Sequence, residues 1–91
     1  MAKLKSKRVK VLAGVIKQLV DEDISRIYLT IRNSLKMSAA VRIDGNDTNI
    51  NDNSGILYPG DSIVLNGVAS TVSVWCLTDV ETYVNVIEVI G

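Results

Sequence analysis

The residues in this chain that could do chemistry are few, and their spacing works against most reactions. Its 91 residues include no histidine and a single cysteine, so no Ser–His or Cys–His pair can be assembled and no Cys/His cluster can hold zinc. Cys76 sits in the alternation Val72, Val74, Cys76 against Ser73, Trp75, Leu77, where a thiol behaves as a small buried apolar group. Asp47, Asn49 and Asn51 have the spacing of an oxygen-donor calcium loop. The sixth position of that loop, however, is Asp52 rather than glycine, and the twelfth is Tyr58 rather than a bidentate glutamate. A plain polar loop fits better. Gly55 and Gly60 flank a turn and Gly67 belongs to another, so no glycine-rich phosphate loop is present. The chain reads as non-enzymatic, with neither cofactor nor metal.

What remains is the chemistry of binding. Lys3, Lys5, Lys7, Arg8, Lys10 and Lys17 all precede the first acidic residue, Asp21, while the rest of the chain holds four basic residues and all ten acidic ones. The net charge is therefore zero but unevenly divided. Lys3, Lys5, Lys7, Arg8 and Lys10 are read as a basic, partner-binding arm. Without interleaved aromatics, and attached to an acidic body, this arm suits a protein surface better than a nucleic acid. Tyr28, Tyr58 and Trp75 are candidate anchors, since large rings with one polar atom are enriched at interface hot spots. Trp75 falls on the strand face opposite Val74 and Cys76, which leaves both a core and an interface position open to it.

These residues need a scaffold, and the composition supplies strands. Hydrophobic residues make up 47% and charged residues 22%, far from the signature of disorder. The apolar set is mostly Val, Ile and Leu with no Phe, a set that suits pleated sheet. Ile27, Leu29 and Ile31 alternate with Tyr28, Thr30 and Arg32, the period of a half-buried strand. Arg8 to Val20, broken by Gly14, reads as one interrupted or two short strands, with a helix over Val15 to Ile24 as the alternative. Ala39 to Asp44 is a further strand, followed by an Asp/Asn-rich loop. Tyr58-Pro59-Gly60-Asp61 predicts a type II turn. Ser62 to Leu65 follows as a strand, Asn66-Gly67 predicts a hairpin, and Thr71 to Leu77 returns. The last strand, Thr82 to Ile90, is apolar on both faces, which predicts a central or covered position. The expectation is an all-β chain: a small antiparallel β-sandwich, jelly-roll or Ig-like, of six to eight short strands. Residues 1–10 form the arm and 11–91 the single domain. No apolar run reaches membrane-spanning length and the first residues lack a signal-peptide pattern, so a soluble protein made in the cytoplasm is expected.

The order of motifs resembles a known group. Arg26-Ile27-Tyr28-Leu29-Thr30-Ile31-Arg32-Asn33, then Val41-Arg42-Ile43-Asp44, then Gly55-Ile56-Leu57-Tyr58-Pro59-Gly60-Asp61-Ser62-Ile63-Val64-Leu65, and finally Val84 to Val89 are similar to the small β-sandwich structural proteins of tailed bacteriophages. The resemblance runs from about Lys7 to the C-terminus, through short motifs that are mainly structural. It implies a virion component, foremost a capsid decoration or cement protein on the capsid surface that binds the major coat protein and self-associates, with a trimer favoured. A tail, neck or head-fibre anchoring module is the alternative, followed by a calcium- or carbohydrate-binding sandwich. Val41-Arg42-Ile43-Asp44 and Val74-Trp75-Cys76-Leu77 depart from the group's usual strands, which bears on the contacted surface rather than the fold.

Overall fold

A computed structural model describes residues 2–36, 39–45, 50 and 54–91. Among them are eight strands: β1 (Lys3–Val11), β2 (Lys17–Val20), β3 (Arg26–Asn33), β4 (Val41–Asp44), β5 (Gly55–Leu57), β6 (Ser62–Asn66), β7 (Val74–Thr78) and β8 (Thr82–Ile90). A 3₁₀ turn spans Gly67–Thr71. The strands form two antiparallel sheets ordered β1-β8-β3-β6 and β2-β7-β4-β5. Of the connections, only β4 to β5 stays within one sheet; every other step of the chain crosses between sheets. This strand order is the jelly roll, also described as a double-stranded β-helix.

The crossings explain where the apolar residues go. In the first sheet Val11, Leu29, Ile31, Val84 and Val86 point inward at alternate positions, and in the second Leu19, Val41, Leu57, Val74 and Cys76 meet them. β8 is central between β1 and β3, as its apolar run predicts, yet among the described residues no layer covers its outer side, where Ile87 is 38% exposed.

Several local expectations are met. Gly14, at φ +72°, separates β1 from β2, and Val15 to Ile24 holds a strand and turns rather than a helix. The Tyr58–Asp61 turn closes with the Asp61 amide donating to the Tyr58 carbonyl at 2.9 Å, with Gly60 at φ +85°. The Asn66-Gly67 hairpin is not formed. β6 pairs with β3 in the first sheet and β7 with β4 and β2 in the second, so the chain must cross the sandwich at this point, and the 3₁₀ turn carries it over.

Ile27 also departs from expectation. A bulge between Arg26 and Tyr28 leaves Ile27 49% exposed and turns Arg26 inward, where it is 3% exposed. The Arg26 guanidinium donates to Glu88 Oε1 at 2.9 Å and to the carbonyls of Asp21, Ser70 and Val72 at 2.7, 2.9 and 3.1 Å. The segment read as an arm lies in β1, paired residue by residue with β8 from Lys3 opposite Ile90 to Val11 opposite Thr82.

Candidate protein-docking face

β1 divides the basic residues between two sides. Val9 and Val11 point toward the core, so Lys3, Lys5 and Lys7 share their side of the strand, yet all three lie exposed. Leu4, Ser6, Arg8 and Lys10 occupy the other side and belong to the outer face of the first sheet. The register there builds rows across the strands. Leu4, Val89, Tyr28 and Asn66 form one row; Ser6, Ile87, Thr30 and Val64 the next; Arg8, Asn85, Arg32 and Ser62 a third; Lys10 and Tyr83 begin a fourth. One half of the face is therefore mainly apolar, running from Leu4, 70% exposed on β1, through Val89, Ile87 and Tyr28 to Val64 on β6, and the other half is basic.

Two contacts order the basic half. The Arg8 guanidinium lies over the Tyr83 ring at 4.0 Å, a cation–π geometry that limits where its fork points. Lys10 Nζ stands 3.7 Å from Glu81 Oε1, both side chains about half exposed, so this pair adds little to stability. Next to Arg8 lies a shallow depression of about 250 Å³ lined by Arg8, Arg32, Ser34, Leu35, Lys36 and Asn85. Arg32, Lys36 and Asn85 were not singled out from sequence. Arg32 shows only as the polar partner in β3's alternation, and its neighbourhood with Arg8 becomes visible once the strands are in register.

The three aromatic anchors are not brought together. Tyr28 is half-buried on the outer face of the first sheet, in the row of Leu4. Tyr58 is exposed at the β5–β6 turn. Trp75 is half-buried on the outer side of the second sheet, opposite the buried Val74 and Cys76, with Gln18 and Asp44 as its strand neighbours. Tyr28 alone shares the face that carries Arg8 and Lys10.

Cys76 is fully buried, and that burial pushes its thiol up to about 12, with Lys17 acting weakly in the other direction. Asp47, Asn49, Asn51 and Asp52, the residues of the calcium reading, lie outside the described residues. Asp44, at the start of that loop, accepts a hydrogen bond from the Ser54 hydroxyl at 3.1 Å. Among the described residues no group of three or more His, Cys, Asp or Glu side chains could hold a metal ion, and no helix is long and apolar enough to cross a membrane.

No family model matches the chain, and no curated protein matches it. Solved structures do. A de novo designed double-stranded β-helix, determined by solution NMR, superposes with a TM-score of 0.61 at 16% identity, covering 92% of this chain and 97% of that one. A chain from the Bacillus endospore appendages, which form a family of disulfide-linked pili, aligns with a TM-score of 0.50 at 13% identity, covering 100% of this chain and 90% of that one. At these identities the likeness carries the fold alone, and it agrees with the jelly-roll strand order.

Proposed function

We propose that this chain is a non-enzymatic structural subunit that binds other protein subunits through the outer face of its first sheet. The observation that carries the reading is that face itself: four strands wide, covered by no other element among the described residues, with the apolar rows of Leu4, Tyr28, Ile87 and Val64 bordered by the cations Arg8, Lys10 and Arg32. An apolar centre with a charged margin is the usual anatomy of a docking surface, in which burial supplies affinity and charge supplies partner choice.

The motif resemblance supports taking that partner to be the major coat protein of a tailed-phage capsid, with the chain acting as a decoration protein. Its mechanism is linkage: a subunit that binds the assembled shell better than free coat protein stabilises the shell by the difference, summed over many copies. The purified protein mixed with expanded and mature phage heads tests this. Saturable binding to mature heads, a rise in their heat resistance, and weakening of both by Arg8→Glu or Ile87→Glu are expected. Failure to bind heads would remove the capsid role, and copurification with tails would move the protein to the tail or neck.

A further inference from the structure

The depression beside Arg8 has a chemical character of its own. Every polar group lining it can donate: the guanidinium groups of Arg8 and Arg32, the Lys36 ammonium, the Ser34 hydroxyl and the Asn85 amide. Among the described residues none of these side-chain donors has an acceptor within the chain. The Ser34 oxygen accepts the Lys36 backbone amide at 3.3 Å, which leaves its own proton to give. No carboxylate lines the depression, although the chain has as many acidic residues as basic ones.

The scaffold also fixes the spacing. Arg8 and Arg32 are cross-strand partners on either side of Asn85, so their Cα atoms stand two strand spacings apart, roughly 10 Å. That gap lets two forked side chains reach a single oxyanion above the amide between them. Tyr83 holds the Arg8 fork from one side, and Leu35, 71% exposed, forms an apolar wall beside the site. A site with three cations, neutral donors and a wall of aliphatic carbon suits a carboxylate carried on a side chain.

We infer that Arg8, Arg32, Lys36, Ser34 and Asn85 form a receptor for an acidic side chain of a partner protein. The inference rests on the docking reading for its biological setting and gives that face its selectivity. A partner presenting Asp or Glu at this point is accepted, and one presenting Lys or Arg is repelled.

The test uses the protein alone. The ¹⁵N-labelled chain is titrated at constant ionic strength with the peptide acetyl-Gly-Glu-Glu-Gly-amide, with inorganic phosphate and with an eight-nucleotide oligothymidylate. Saturable shifts confined to Arg8, Arg32, Ser34 and Asn85 are expected with the peptide. Arg32→Gln, Lys36→Gln and Arg8→Gln, all exposed positions checked for an unchanged amide spectrum, should each weaken binding at least about five-fold. Lys17→Gln, on the other sheet, should leave it unchanged. Equal weakening by Lys17→Gln, or shifts that do not saturate, would overturn the site as screened surface charge. Tighter binding of phosphate or the oligonucleotide than of the peptide would overturn the carboxylate assignment. A wild-type protein that binds heads without this response removes the receptor alone, and one that shows the response but ignores heads removes the capsid role alone.

Discussion

Asn33 is fully buried at the end of β3, where its amide donates to the carbonyls of Ala39 and Leu57 at 2.7 and 2.9 Å and its oxygen accepts from the Thr82 hydroxyl at 3.3 Å. Asn33→Ala strands two buried carbonyls at once and should cost about 3 kcal/mol, read as a lower urea midpoint. Thr82→Val, which loses only the long bond, should cost about 1 kcal/mol. Arg26 presents the charged version of the same problem. Arg26→Met leaves Glu88, whose side chain is 14% exposed, without its ion-pair partner and should cost about 3 kcal/mol, while adding Glu88→Met should recover part of the loss. Cys76 gives a pH signature. In the unfolded chain its thiol ionises near its ordinary value, whereas the folded chain holds the proton up to about 12. The folded state therefore binds more protons above about pH 9, and the stability from this group, intact below that pH, falls as pH rises through the interval. Wild type should lose more stability than Cys76→Ala between about pH 9 and pH 11. The burial of Cys76 was legible from its alternation. Arg26 was not, because its inward turn depends on Glu88 and Ser70, more than forty residues away along the chain.

Elements were legible where the signal was local. The Tyr58–Asp61 turn needs only proline, glycine and their φ angles, and it formed where the sequence placed it. A Cβ at Gly60 would also meet Leu35 Cδ1 at 2.9 Å, a smaller cost than the positive φ because the exposed Leu35 side chain can swing aside. Gly60→Ala should therefore destabilise by about 1–2 kcal/mol. Adding Leu35→Ala should return only the steric part, which equilibrium unfolding of the single and double variants separates. Asn66-Gly67 shows the converse. The dipeptide suits a tight hairpin equally well, but strands β6 and β7 belong to opposite sheets, and that is decided by pairings with β3 and β4 remote in sequence. Ile27 fails for a related reason: alternation assumes an unbroken ladder, and the bulge beside Arg26 shifts it by one residue. β1 is the most altered element, because lysine-rich sequence reads as a solvated arm while serving as an edge strand. Lysines on an exposed edge also discourage sheet-to-sheet aggregation, which reconciles the composition with the position.

For the whole molecule, the sandwich class and the strand count could be read from periodicity, whereas the jelly-roll order could not, since nothing local tells β1 to pair with β8. The proposed docking face has the same origin: Leu4, Tyr28, Ile87 and Val64 come from four separate strands and become one surface through register. That register has a mechanical side as well. With Lys3 opposite Ile90 in an antiparallel pair, the two ends of the described chain leave from the same pole, side by side. Tension applied between them would open the β1–β8 ladder like a zipper, breaking one pair of bonds at a time, instead of shearing the whole row together. Single-molecule pulling from both ends should therefore give a low unfolding force, and pulling from Lys3 against a handle at Thr82, the far end of the same ladder, a higher one. A chain built this way bears load best when it is gripped by its face and left slack at its ends.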